Sequence, residues 1–159
     1  MSQTYRAVAI DGPAASGKST VARRLAESLG LVMVNSGAMY RAVTWQVLQE
    51  GIDPQNRAAV LEAMSRMRID CGVKNNLSTI AINDRLLTTE IRSAGVNEHV
   101  SKVASIPEVR ESLVAMQRDY LEEYDVVMEG RDIGSVVFPD TPFKLYISCL
   151  LYTSPSPRD

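Results

Sequence analysis

Residues 5–30 read YRAVAIDGPAASGKSTVARRLAESLG, and three pieces of that stretch decide the fold. Residues 5–10 alternate or run apolar up to Asp11-Gly12-Pro13, the signature of a strand entering a loop. Gly12-Pro13-Ala14-Ala15-Ser16-Gly17-Lys18-Ser19 fits the pattern G-x-x-x-x-G-K-[ST] throughout. Over residues 19–29, apolar Val21, Ala22, Leu25, Ala26 and Leu29 recur at the spacing of one helix face, and Gly30 stands where a C-cap belongs. A loop of this kind needs glycines so that backbone N–H groups can turn inward around phosphates. The helix that follows adds the positive end of its dipole to the same place. Lys18 reaches the outer phosphates as a point charge, and Ser19 can ligate Mg²⁺. The stretch therefore predicts a nucleotide-binding chain.

Downstream, the pattern keeps alternating between strands and helices. Residues 31–34 read as a short buried strand, and residues 38–48 as a helix ending near Gly51. Between residues 68 and 89 the character changes. Short strands at 68–73, 78–82 and 86–88 are separated by the turn residues Lys74-Asn75-Asn76 and Asn83-Asp84, which predicts a small antiparallel insert. Helical periodicity returns at 90–104 and at 107–124, where Pro107 suits a first-turn position. Residues 125–128 and 143–147 are the last strands. Such alternation predicts an α/β fold, a parallel sheet flanked by helices on both faces.

Composition narrows the partners. Hydrophobic residues make up 45% of the 159-residue chain and charged residues 23%, an ordinary globular balance. The net charge of -2 leaves no basic excess for a nucleic-acid surface, so no nucleic-acid partner is expected. The sequence has no secretory signal and no apolar run of about 20 residues, so neither a leader nor a membrane span is expected. Cys71 and Cys149 have no metal-like spacing, and a reducing cytoplasm is the expected location.

Two charged clusters follow strand ends, where ligands bind in sheets of this kind. In Asn35-Ser36-Gly37-Ala38-Met39-Tyr40-Arg41, the Arg41 guanidinium can hold a phosphate bidentately, although for the motif taken alone a helix cap with a solvated arginine is the favoured reading. In Glu129-Gly130-Arg131-Asp132-Ile133-Gly134, Glu129 can orient Mg²⁺ or its water, Arg131 can meet a phosphate, and Asp132 can accept from an amine or hydroxyl. A surface ion pair between Arg131 and Asp132 is the competing reading. Ser101 and Arg110 taken singly read as solvated helix residues, and His99, the only histidine, as an exposed one.

DGPAASGKST, NSGAMYRA and EGRDIGSVVFPD, in this order and at these separations, resemble bacterial cytidylate kinase, as does EIRSAGVNEHVSKVASIPEVRESL. The resemblance runs over residues 5–148. Adenylate and uridylate kinases share the phosphate loop but not the SGAMYR and EGRDIG pairing. The resemblance implies a P-loop fold whose small antiparallel insert belongs to a nucleoside monophosphate-binding insert at about residues 63–105. It implies phosphorylation of CMP and dCMP by ATP with Mg²⁺, and a monomer is expected because small kinases of this kind are often monomeric. It places Gly12 to Thr20 (Gly12, Pro13, Ala14, Ala15, Ser16, Gly17, Lys18, Ser19 and Thr20) around the ATP phosphates, with Lys18 and Arg131 serving transfer. It places Ser36, Arg41 and Arg131 near the acceptor phosphate, Ser101, Arg110 and Asp132 on cytosine, and Ser19 and Glu129 near the metal. Glu129 stands where the family pattern has aspartate.

The last eleven residues, CLLYTSPSPRD, read differently. They resemble a transposon-based sequencing adapter translated in frame, so residues 1–148 are expected to be the N-terminal part of one kinase domain and 149–159 a non-native tail. The arginine-rich lid that the resemblance implies would lie downstream, so a C-terminally truncated chain with little turnover is expected. Two other readings stay open: a P-loop kinase of another small acceptor, and a nucleotide-binding ATPase or GTPase without kinase activity. Against a GTPase, the sequence carries no Asn-Lys-x-Asp motif.

Overall fold

The structure is a computed structural model that describes residues 6–13 and 16–148. Its centre is a sheet whose parallel strands β1 (Ala7–Asp11), β2 (Val32–Asn35) and β6 (Val126–Gly130) lie side by side, β6 in the middle. The register sets Ala7 against Val126 and Asp11 against Gly130 on one side of β6. On the other side it sets Val32 against Val126 and Asn35 against Glu129. The three strands therefore end level. β7 (Phe143–Tyr146) adds to the far side of β1, also parallel.

Side-chain alternation along these strands supplies two cores. Ala7, Ala9, Val32, Val34, Val126 and Met128 face one side, where they pack with Val114, Tyr120, Ile133 and Val137. Ile10, Met33 and Val127 face the other, against Ala22 and Ala26 of α1 (Lys18–Leu29). Strands covered on both faces are apolar throughout, which is why β6 is buried at every position. α1 ends at Gly30, whose N–H bonds to the Ala26 carbonyl in the expected left-handed cap.

The antiparallel insert forms as predicted but joins the main sheet. β3 (Ile69–Lys74) pairs with β4 (Leu77–Ile82), and β4 with β5 (Arg85–Leu87). Both turns use left-handed pairs, Asn75-Asn76 and Asn83-Asp84, the residues that tolerate positive φ at least cost. β4 then meets β2 through the Met33–Leu77 register, extending the sheet to seven strands in the order β3-β4-β2-β6-β1-β7 with β5 on β4.

Helices differ from expectation mainly at their ends. α2 (Ser36–Gln49) begins two residues before the predicted start, because the Asn35 side chain caps it by accepting from the Ala38 N–H. α3 (Arg57–Arg66), capped by Asn56, was not read from the sequence; its buried stripe is only Val60 and Ala63. The predicted helix at 90–104 splits into a 3₁₀ turn (Glu90–Arg92) and α4 (Ala94–Ala104), with Ser93 capping Val96. α5 (Pro107–Asp119) stops before residue 124 and continues as a 3₁₀ turn (Tyr120–Glu122). α2, α3 and α5 share a third core built on Val43, Val47, Val60, Val109 and Leu113, closed by Ile80 and Ile82 of the insert.

Candidate active site

The level ends of β1, β2 and β6 open into one cavity of about 670 Å³, a size suited to small-molecule ligands. Its walls come from distant parts of the chain. Ser16, Gly17, Lys18 and Ser19 come from the loop after β1 and the start of α1. Ser36, Tyr40 and Arg41 come from α2, Ser101 from α4, and Arg110 and Gln117 from α5. Glu129, Gly130, Arg131 and Asp132 come from the end of β6. Of the predicted site residues, Gly12, Pro13 and Thr20 do not line it, and Ala14 and Ala15 lie outside the described residues.

The phosphate-loop end is arranged by backbone. Gly17 caps α1 in the left-handed region at φ 88°, which only glycine adopts without strain. Lys18 Nζ donates to the Gly12 carbonyl at 2.6 Å, folding its ammonium back over the loop. Burial pulls the Lys18 pKa below the usual lysine value; the Glu129 carboxylate opposes that effect, Arg131 adds to it, and Asp11 opposes it.

Ser36 and Gly130 bring α2 close to β6. The Ser36 hydroxyl donates to the Glu129 carbonyl at 2.8 Å, and a Cβ on residue 130 would collide with that hydroxyl and with Ile133. Glycine is thus required at 130 by close approach. Arg41 donates to the Ile91 carbonyl at 3.3 Å and to Asn97, tying α2 to the start of α4.

Asp132 does not pair with its neighbour Arg131. Its carboxylate takes a 2.6 Å hydrogen bond from Arg110, on α5, which makes one acid–base pair on the cavity wall. Arg131 is exposed and forms no ion pair among the described residues. His99 is half-buried rather than exposed, beside Lys102 and Glu98, and stands off the cavity wall.

Three side-chain atoms are buried without a partner among the described residues: Ser16 Oγ, Glu129 Oε2 and Gln117 Nε2, and all three residues line the cavity. Buried polar atoms are normally satisfied, so their shared location marks where a polar ligand completes the bonding. Glu129 is only 3% exposed, and a buried carboxylate oxygen with free lone pairs on the same wall as the Ser19 hydroxyl fits an oxygen-seeking divalent cation. Among the described residues no group of three acidic, histidine or cysteine side chains gathers to hold a metal, and Mg²⁺ commonly needs only one or two protein ligands beside waters and phosphates.

Gln117 and Tyr40 escaped the sequence reading. Gln117 is 1% exposed and shares the α5 stripe with Arg110 and Val114 at the i, i+4, i+7 spacing. Burial raises the Tyr40 phenol above its usual range, while the Arg110 guanidinium offsets part of that rise.

A parallel α/β sheet whose strand ends present a G-x-x-x-x-G-K-S loop beside a cavity edged with arginines defines a phosphate-loop nucleotide-binding protein. Comparison with known proteins refines the class. The family profile described as cytidylate kinase matches residues 8–155. A cytidylate kinase of Oceanobacillus iheyensis is 45% identical over 140 residues, covering 88% of this chain and 61% of the relative. One of Alkaliphilus metalliredigens is 43% identical over 145 residues, 91% of this chain and 64% of the relative. A bifunctional pantoate ligase/cytidylate kinase of Prochlorococcus marinus is 44% identical over 142 residues, 27% of its length. The chain belongs to the cytidylate kinase family. It spans about three fifths of the length of the single-function relatives.

Proposed function

We propose that this chain carries the donor loop and acceptor site of an ATP-dependent kinase that converts CMP, and dCMP, to the diphosphate. The observation that carries this reading is the Arg110–Asp132 pair, set on the wall of the same cavity as Lys18 and the orphaned Glu129 oxygen. A cytosine edge offers an amine donor beside carbonyl and ring-nitrogen acceptors, so an acid and a base held together match both polarities. Ser101 stands on the same wall as a third polar contact for the base.

In this reading an oxygen of the acceptor phosphate attacks the γ-phosphorus of ATP, and the bond to the ADP oxygen breaks. Such transfers depend on alignment and on neutralising charge, so no strong base is required. Arg41 and Arg131 hold the acceptor phosphate, and Lys18 and the N-terminus of α1 hold the donor phosphates. Arg41 must then leave Asn97 and the Ile91 carbonyl, or share itself with them. Mg²⁺, when bound, neutralises charge on the phosphate oxygens; Ser19 and Glu129 are the residues that would hold it or its waters.

Residues 63–105 form the monophosphate-binding insert of a domain that occupies residues 1–148. The enzyme is a cytoplasmic monomer without nucleic-acid partners, consistent with a net charge of -2. No helix among the described residues is long and apolar enough to cross a membrane.

Equilibrium titration with CMP, UMP and AMP tests the reading. Selective CMP binding that falls by about tenfold or more in Arg110→Ala and in Asp132→Ala is the expected result, because each change strands a charged partner. Equal binding of the three nucleotides would refute the cytosine assignment and leave a phosphate-loop protein with another acceptor.

A further inference from the structure

Residues Ile133–Val137 form a single wide turn of π-helix, and its two ends are held by opposite charges. At the start, the Asp11 carboxylate accepts from the backbone N–H of Ile133 at 2.6 Å and of Gly134 at 2.8 Å. At the end, the Arg118 guanidinium donates from Nε to the Val137 carbonyl at 2.9 Å and from Nη2 to the Val136 carbonyl at 2.7 Å. Inside, the Val136 N–H reaches the Asp132 carbonyl at 2.9 Å and the Phe138 N–H reaches the Ile133 carbonyl at 2.7 Å.

A single helical turn has more orphaned donors and acceptors at its ends than bonds within it, and it does not persist on propensity alone. Here the orphaned N–H groups meet an anion and the orphaned carbonyls meet a cation, the polarity that a helix dipole favours at each end. The turn matters because of what is attached to it. Arg131 and Asp132 immediately precede it, and Ile133, Val136 and Val137 themselves line the cavity. Neither Asp11 nor Arg118 is on the cavity wall.

We propose that Arg118 and Asp11 are positioning residues for the acceptor nucleotide, clamping the π-turn from outside the cavity so that Asp132 stays paired with Arg110 and Arg131 faces the phosphate. The proposal rests on reading this cavity as the acceptor site. Arg118 acts through geometry: a guanidinium fork spans two successive carbonyls, and a lysine ammonium satisfies only one of them well. Asp11 adds a second property. It is the last residue of β1, directly before Gly12, whose own N–H bonds to the Gly130 carbonyl at 3.2 Å. One carboxylate therefore joins the donor loop to the acceptor turn, whereas Arg118 touches the turn alone, which makes Arg118 the cleaner position to test.

The experiment compares the wild-type chain with Arg118→Met and Arg118→Lys by calorimetric titration with CMP and, separately, with a non-hydrolysable ATP analogue plus Mg²⁺. Arg118→Met should weaken CMP binding by about tenfold or more while leaving the ATP analogue within about twofold, and Arg118→Lys should fall between. Unchanged CMP affinity in Arg118→Met, or equal losses for both nucleotides, would overturn the positioning role; a purely structural role would move both together. A wild-type chain that takes the ATP analogue but not CMP refutes the acceptor reading instead. Amide exchange then decides the clamp by itself. Exchange at Val136, Val137 and Phe138 should quicken by about tenfold or more in Arg118→Met with β2 and α1 unaffected, and unchanged rates at those three amides overturn it.

Discussion

Gln117 shows at the scale of one residue how stability and binding can oppose each other. Its amide is buried, and Nε2 bonds to nothing among the described residues, which costs a folded protein about 1–3 kcal/mol per stranded group. Methionine has nearly the same shape and no polar head. Gln117→Met is therefore expected to keep or raise stability, by about 1 kcal/mol in urea unfolding, while weakening CMP binding by about tenfold. Lower stability with unchanged CMP affinity would mean that the amide serves the fold alone. Glu129 raises the same question with a charge. Glu129→Gln keeps the size and removes the carboxylate, so the Mg²⁺ dependence of ATP-analogue binding should flatten if Oε2 holds the cation or its water. A glutamine on an otherwise amphipathic helix reads from sequence as a surface residue, so Gln117 is not legible beside Arg110. Glu129 is legible, because a charge directly after an apolar strand has few other reasons to be there.

At the scale of elements, the caps explain where helices begin better than the hydrophobic pattern does. Asn35, Asn56 and Ser93 each accept from an N–H three residues on, and α2, α3 and α4 start there. α3 offers a clean test, since Asn56 is exposed and does not line the cavity. Asn56→Ala is expected to lower unfolding free energy by about 1 kcal/mol and to leave nucleotide binding unchanged. A loss of CMP affinity in that variant would mean that α3 takes part in the site. α3 was invisible to periodicity because its sequence RAAVLEAMSR buries only Val60 and Ala63, both small. The break between the Glu90–Arg92 turn and α4 was invisible for a related reason: both segments are helical in pattern, and only the Ser93 cap divides them. The hairpin turns were legible because Asn75-Asn76 and Asn83-Asp84 are among the few non-glycine pairs that enter the left-handed region readily.

For the whole molecule, burial of weak acids sets how stability responds to alkali. The Cys71 thiol is pushed up from 9.0 to about 11, chiefly by desolvation, with Asp70 and Asp119 adding to it. The Tyr120 and Tyr40 phenols are raised as well, each mainly by burial. A raised pKa means that the folded state keeps its proton where the unfolded state has lost it, so the stability that the buried thiol contributes is full below pH 9 and is lost between 9 and about 11. Cys71 alone contributes at most about 3 kcal/mol to that loss, and in Cys71→Ala the fall of unfolding free energy over this range should be correspondingly shallower. An identical slope in the variant would show that the thiol titrates as it does in water. The phosphate loop, the alternation of strands and helices and the antiparallel insert were determined by the sequence itself, because strand and helix periods, glycine freedom and turn chemistry act over a few neighbouring residues. The partnership of Arg110 with Asp132, the orphaned atoms of Ser16, Gln117 and Glu129, and the hold of Asp11 and Arg118 on one turn were decided only by the tertiary structure. Those groups are separated by up to 123 residues along the chain, and only the level ends of three parallel strands bring them to one place, where burial makes each missing partner costly.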